Sequence, residues 1–576
     1  MTDSRRDWGT TTSLAVALLA ALVAILLRIP AASESLWVDE LHSAWAVWGE
    51  WEEVKTRAAW GNQTPWYFYA LWGWRNWLGD SELILRLPSM LATALASAVL
   101  VLGVARNGGG LLGGAIAGVL LAVDRNAIFF GTETRPYAGT ILAVAVATWA
   151  AAELRRAELL RTGAGKVWWG RGGLLLACFA GFLGHATAAI PLAVLATTLF
   201  AWPLRDRGQL RERGQLRERG QRSWRSLVKS RPYSPGVFVA VVVAMASVLW
   251  INAEVIFRVW SDRAQWNAFG RPRFFQELWT IWPWTWLVLV PFGFWRAVNF
   301  LSREPRQSVP PEQGEADWKR SPTALLAPVL AAALLATALG WAVSCLGIAP
   351  VWHRRFLIGV LPLLCWAAGG YWGASASRLT QRRRMRFLWG SLLMMLVAVG
   401  GLMFEQGTLA ELSDADFTWV RRGEDWRGAV AYVNQHREPG EPVFVAAELL
   451  ESAALDSLPA LDPSPAQATG MERRPEPSPE MIEYLRYPVT GPYRVEGAIP
   501  LGRQPEVIRG AIAAEFTRRG AARGGWVLLR RIEPHARMIL PASPIGSEPS
   551  GIRFQTIDSQ AFGGVTVVRV GVAERL

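Results

Sequence analysis

The sequence predicts a mainly α-helical, polytopic membrane protein of about eleven spans, followed by a small C-terminal α/β domain. Three observations predict it. Apolar runs of about 18 residues recur between short charged patches up to residue 404. The chain is 51% hydrophobic and holds 32 tryptophans, whose indole favours the headgroup zone of a bilayer. Beyond residue 405 the apolar runs shorten to strand length and alternate with helical patterns.

Apolar spans are expected near 11–29, 88–105, 111–127, 137–154, 168–184, 186–203, 236–256, 278–297, 323–347, 355–373 and 387–404. An odd number of spans puts the two ends of the bundle on opposite sides. The loops then expected inside hold 27 Lys and Arg, and those expected outside hold 13. That bias places the N-terminus inside and the C-terminal domain outside an inner, cytoplasmic membrane. The net charge is +13, yet residues 405–576 hold 19 Arg against 23 acids, so the positive excess lies in the membrane half. Orientation and lipid contact explain that excess, and nucleic acid is not an expected partner.

The domain division expected is 1–404 for the membrane domain and 405–576 for the outer domain. Within the first, residues 30–87 form a long outer loop rich in Trp and acids. Residues 203–235 carry a basic six-residue repeat (Leu-Arg-Glu-Arg-Gly-Gln in its later copies), read as a cytoplasmic linker that favours anionic lipid. Cys178, Cys345 and Cys365 all fall in apolar runs without C-x-x-C spacing, so neither a zinc site nor a disulfide framework is indicated. Strands are expected at Val443–Val445, Trp526–Leu529 and Val565–Val568, and helices at Trp426–Val433 and Val507–Phe516. The domain carries no glycine phosphate loop, metal-ligand spacing or nucleophile elbow.

Ionisable groups gather at the outer ends of the spans, not at mid-bilayer, which suits an interfacial enzyme better than a transporter. Asp39-Glu40 opens the long outer loop. Neighbouring residues point to different sides of a helix or strand, so one of the two can aim at a reaction centre while the other supports it. A carboxylate at the lipid–water boundary can act as a general base toward a hydroxyl. The plainer reading is an acidic helix start favoured by the dipole. Asp124, Glu133 and Arg135 lie between two spans; an Arg there either pairs with its neighbouring Glu or grips a lipid phosphate. His185 sits where an apolar run must turn. Arg354 and Arg355 run against the charge bias expected outside, and phosphate binding is the economical reason.

Residues 36–155 resemble the polyprenyl-phosphate-dependent GT-C glycosyltransferases. That superfamily includes the protein O-mannosyltransferases and the lipid A aminoarabinose transferase, and the likeness is strongest to its RgtA/B/C/D-like branch. The residues that carry it are Leu36-Trp37-Val38-Asp39-Glu40, Thr64-Pro65-Trp66-Tyr67, Gly79-Asp80-Ser81-Glu82, Leu85-Arg86-Leu87-Pro88-Ser89 and Glu133-Thr134-Arg135-Pro136-Tyr137-Ala138. Gly184-His185-Ala186 is similar to a Thr-His-Tyr turn of that superfamily, and Arg355-Phe356 to an Arg-Tyr pair. In the outer domain only Glu424-Asp425-Trp426-Arg427 echoes it.

The resemblance implies a GT-C fold and a hexosyl- or pentosyltransferase. A sugar carried on a polyprenyl phosphate, undecaprenyl phosphate in bacteria, would pass with inversion to an acceptor hydroxyl at the outer face. Asp39 and Glu40 would be catalytic, with Asp39 as general base. Arg135, Arg355, Arg354 and His185 would bind the donor phosphate, and Gln63, Glu133 and Asp124 would support the site or the acceptor. The acidic clustering leaves a divalent cation open. Asn62-Gln63-Thr64 departs from the His or Lys often found before the Pro-aromatic motif, which argues against a lipid A-modifying role and leaves the acceptor open: protein, lipid or glycan. A lipid or solute transporter would predict charges within the spans and internal symmetry, and neither is seen. A non-catalytic scaffold would predict indifference to the loss of Asp39.

Overall fold

The computed structural model describes residues 3–159, 164–201, 235–261, 270–302, 326–379, 384–411, 422–457, 477–519, 524–541, 545–547 and 552–575. The basic repeat and the second linker expected at 303–322 lie outside the described residues, as do Asp262 and Arg263. The chain divides into two compact units. The first comprises Met1–Ala32, Ala58–Gly79 and Leu83–Val420; the second comprises Ser33–Arg57, Asp80–Glu82 and Arg421–Leu576. This division departs from the expected boundary after 404. A stretch of the outer loop, with the Asp39-Glu40 pair, packs as part of the C-terminal unit, because its polar backbone finds partners there.

The first unit is helical. Helices occupy the expected spans, from Asp3–Leu26 to Arg384–Glu405, although the run at 278–297 is broken between Glu277–Thr280 and Val290–Leu301. Four stretches are long and apolar enough to cross a membrane by length and composition: Glu82–Val123, Tyr137–Arg156, Leu326–Cys345 and Arg354–Leu379. Five further apolar helices are shorter, so the count of eleven spans is not confirmed. The Glu82–Val123 stretch breaks at Asn107 and Gly108, whose φ/ψ values are not helical.

The helix Leu361–Leu379 is the centre of this unit, with every residue from Leu361 to Ala376 buried. It packs against Gly110–Val123 through glycines. A Cβ added at Gly369 would collide with the Gly113 carbonyl oxygen, and one at Gly373 with that of Gly109. Between helices surrounded by lipid there is little hydrophobic drive, so close backbone approach through small residues supplies the contact. Buried arginines tie the ends of neighbouring helices. Arg28 donates to the carbonyls of Ala24 at 2.7 Å, Ala122 at 3.2 Å and Ala127 at 2.8 Å. Arg86 donates to Ala32 O at 2.9 Å.

The second unit is built on one mixed sheet of order β2-β1-β3-β6-β5-β4. Its strands are β1 (Val443–Ala446), β2 (Ala498–Pro500), β3 (Gly524–Leu529), β4 (Ile545–Ser547), β5 (Ile552–Phe562) and β6 (Val565–Arg575). β1 pairs in parallel with β2 and β3, and the remaining pairs are antiparallel. All of β1 and β3 is buried, as strands covered on both faces must be. The helix Pro505–Arg518 covers one face, where Ile508, Ile512 and Phe516 join Phe444, Val527 and Phe554 in one core. Trp426–His436 covers the other; its Tyr432 meets the Trp526 ring edge-on at 5.9 Å. Asp425 caps that helix through the Gly428 N–H at 2.8 Å. The three strands and two helices expected from the sequence all form. β2, β4, β5 and the helices Pro479–Thr490 and Glu533–Ile539 were not expected.

The glycine contact can be tested by enlarging it. Gly369→Leu should destabilise the protein by about 1–3 kcal/mol or prevent its folding, since the neighbouring backbone cannot yield. Thermal unfolding in detergent measures this, and an unchanged midpoint would contradict the close helix contact.

Candidate functional site

The predicted site residues fall into both units, and each unit holds its own part. In the second unit, Asp39 and Glu40 occupy the first turn of the helix Val38–Ala46. Asp39 is half-buried, while Glu40 is fully buried. Glu40 pairs with Arg422 at 2.6 Å, and both side chains are almost completely excluded from water, at 0% and 1% exposed. A carboxylate held this way is committed to its partner. The structure thus places Glu40, expected to be catalytic together with Asp39, in a buried ion pair, with Asp39 half-buried beside it.

A dense set of bonds fixes this helix to the rest of its unit. Glu424 accepts the Val38 N–H at 3.0 Å, satisfying one of the orphan donors of the first turn. It also accepts from Trp426 Nε1 at 2.9 Å and Arg530 Nε at 2.7 Å. The Leu36 N–H donates to the Tyr493 hydroxyl at 2.9 Å, and that hydroxyl donates to Glu82 at 2.7 Å. Burial and the adjacent Glu82 charge push the Tyr493 phenol well above its usual range, so it stays protonated. Arg427 pairs with Glu82 at 2.7 Å and donates to the Ser33 carbonyl at 2.9 Å. At the other end of the helix, Trp45 stacks beside Tyr484 at 4.6 Å and lies under Arg57 at 4.9 Å. The Gly-Asp-Ser-Glu motif and the Glu424–Arg427 echo are thus the clamp on the acidic loop.

Sequence reasoning missed Arg422, Tyr493 and Glu451. Arg422 precedes the Glu424 motif by two residues, and that adjacency was the signal available. Glu451 lies within electrostatic reach of Asp39, and burial foremost, with the Asp39 charge last among its causes, raises its carboxyl above the usual range. Among the described residues no three His, Cys, Asp or Glu side chains gather in a group that could hold a metal ion, so no step is derived through a divalent cation.

In the first unit the structure brings together His185, Arg135 and Arg355. His185 stacks beside Tyr137 at 5.2 Å and over Phe356 at 6.4 Å. Arg355 lies over the Phe356 ring at 5.3 Å. Burial, then the charges of Arg135 and Arg355, push the His185 imidazole down to about 4. It is neutral at physiological pH. Its Nδ1 accepts the Thr187 N–H at 3.3 Å, which places the ring proton on Nε2. Ser89, from the Arg-Leu-Pro-Ser run, donates to the Glu133 carbonyl at 2.6 Å and so fixes the turn that carries Arg135. Thr64 Oγ1 donates to Leu183 O at 3.3 Å, docking the Pro-aromatic motif two residues before His185. Gln63, expected to support the site, turns back onto its own loop and donates to Gly61 O at 3.3 Å.

Arg354 and Asp124 meet other partners. Arg354 does not join this cluster by any direct bond: it donates to Thr280 O at 2.9 Å, and the attraction it feels is that of Asp124. Asp124 is a buried helix cap, accepting the Ala127 N–H at 2.9 Å and the Gln406 amide at 2.5 Å. Its side chain caps the helix Arg125–Thr132. Glu133 is buried, and its carbonyl serves the turn just described.

A comparison with family models finds no match, and a search of curated proteins finds none. Among solved structures, the chain is similar to ArnT from Cupriavidus metallidurans bound to undecaprenyl phosphate. That match has a TM-score of 0.46 and 14% identity, over 97% of both chains. The apo state of the same protein gives 0.48 and 13%, over 98% of both chains. The archaeal oligosaccharyltransferase AglB from Archaeoglobus fulgidus, in complex with an inhibitory peptide and a dolichol-phosphate, gives 0.41 and 13%. That match covers 75% of this chain and 62% of the other.

The buried ion pair yields a double-mutant test. Arg422→Met leaves the buried Glu40 charge without its arginine, and should destabilise the second unit by about 3–5 kcal/mol. Adding Glu40→Leu should recover most of that loss. Thermal unfolding with proteolysis of the 33–57 loop measures both, and equal stability of wild type and Arg422→Met would contradict the pairing.

Proposed function

We propose that the protein is a membrane glycosyltransferase. It moves a hexosyl or pentosyl group from a polyprenyl-phosphate donor to an acceptor hydroxyl at the outer face of an inner membrane, with its N-terminus inside. The observation that carries the reading is the Arg135–His185–Arg355 cluster. Two guanidinium groups converge on one buried neutral histidine, between the ends of apolar helices. Cationic groups gathered where the dielectric is low attract an anion more strongly than they would in water. A phosphate ester with an apolar tail is an anion suited to that place, its charge meeting the arginines and its tail the helices.

The chemistry follows from the residue types. The acceptor oxygen attacks the anomeric carbon as the bond from that carbon to the phosphate oxygen breaks, and the configuration inverts. Negative charge grows on the departing polyprenyl phosphate, and fixed arginines stabilise it more in the transition state than before it. The His185 Nε2–H adds a neutral donor without adding charge. The attacking hydroxyl must lose its proton, and the half-buried Asp39 carboxylate is the group we assign to take it. Glu40, buried against Arg422, holds the helix that presents Asp39.

Arg135→Ala or Arg355→Ala should each weaken donor binding by about 1.5–3 kcal/mol, the worth of hydrogen bonds to a charged group. The double variant should fall short of the sum, because the two share one phosphate. Labelled polyprenyl-phosphate sugar bound to protein in nanodiscs reads this directly. Donor affinity that ignores both substitutions would remove the phosphate from this cluster and the reading with it.

A further inference from the structure

The second unit contains a polar cleft of about 520 Å³ that the reaction just described does not use. Its wall includes Glu424, Glu448, Arg530, Arg531 and His535. It lies at the carboxyl ends of the parallel strands β1 and β3: Glu448 follows β1 by two residues, and Arg530-Arg531 follow β3 directly. The chain runs from β1 to β2 on one side, then returns across β1 to β3 on the other. The crevice between β1 and β3 is therefore a topological switch point, the place where open α/β sheets bind ligands.

The local chemistry selects the ligand. Arg530 and Arg531 are consecutive yet line the same cleft, because the chain turns there, with the Arg531 N–H bonded to Leu529 O at 2.8 Å. Each is held by a carboxylate through Nε only, Arg530 by Glu424 and Arg531 by Glu448. Their terminal nitrogens make no hydrogen bond among the described residues. Glu424 is already taken by three donors, the Val38 N–H, Trp426 Nε1 and Arg530 Nε. Glu448 holds its place at φ 53°, a left-handed conformation that a non-glycine residue adopts at a price, and such strain tends to mark binding sites. Two forks of free N–H donors, each steadied by a carboxylate behind it, suit an oxyanion.

We propose that this cleft binds the phosphate or carboxylate group of the acceptor, so that the protein glycosylates an acidic acceptor. The assignment rests on the glycosyl-transfer reading. Glu424 supports it, since the same carboxylate braces Arg530 in the cleft and the Val38 N–H of the helix that carries Asp39.

The test uses the full chain in nanodiscs, with Arg135→Ala and Arg355→Ala both present so that anion binding at the membrane cluster is weakened. Inorganic phosphate, galacturonate and neutral galactose are titrated calorimetrically. Phosphate or galacturonate should bind while galactose does not; the stronger of the two identifies the acid. Arg531→Gln should loosen that anion about tenfold or more, and Arg531→Lys should restore part of it. In the chain with Arg135 and Arg355 intact, Arg531→Gln should raise the KM for an acidic acceptor and leave kcat and donor affinity unchanged. Anion binding indifferent to Arg531→Gln, or galactose binding as well as galacturonate, overturns the cleft. A wild-type protein that binds phosphate in the cleft but transfers no sugar from any donor overturns the acceptor assignment through the reading it rests on, not through the cleft.

Discussion

The Glu40–Arg422 ion pair is the constraint on which the acidic loop depends. Desolvating two charges is expensive, and the pair is tolerated because each ion faces the other at 2.6 Å with water excluded. The consequence is directional. Glu40 turned inward fixes the rotation of the helix Val38–Ala46, and the next residue back, Asp39, is half-buried. Glu424 removes the remaining freedom by accepting the Val38 N–H. An adjacent acidic pair in the sequence thereby becomes one buried anchor and one half-buried carboxylate.

The helical unit solves a different problem. It must hold cationic groups beside apolar helices. Rings do part of this: Tyr137 and Phe356 flank His185, and Phe356 also carries Arg355 on its face. Burial and the two arginines keep His185 neutral, so it adds a hydrogen-bond donor where a third positive charge would add repulsion. Arg28 and Arg86, by contrast, spend their donors on helix carbonyls, as structural arginines do.

Much of the fold was legible because its signals are periodic. Long apolar runs announced the helices of the first unit, and short apolar runs announced β1, β3 and β6. β5 was hidden: Ile552–Phe562 mixes Arg, Gln, Asp and Ser, and it forms a strand only because β6 offers a partner along its length. Of the site, the motif arginines and His185 were legible as types at the right ends of spans. Which of Arg354 and Arg355 would face His185 was not, since adjacent residues in one short helix differ only in direction. Glu40's role was hidden for a similar reason. Its partner lies hundreds of residues away along the chain, and long-range ion pairs leave no local pattern. The same distance hid the clamp, although Glu424–Arg427 had signalled that something in the outer domain mattered.

The most direct measurement of the central claim is sugar transfer by purified protein in nanodiscs, wild type against Asp39→Asn. Labelled polyprenyl-phosphate sugars are offered with extracted envelope acceptors. The account predicts a rate loss of about 10²–10⁴-fold in the variant, the usual contribution of a general base, with donor affinity retained. Transfer that proceeds at the wild-type rate without the Asp39 carboxylate would contradict it.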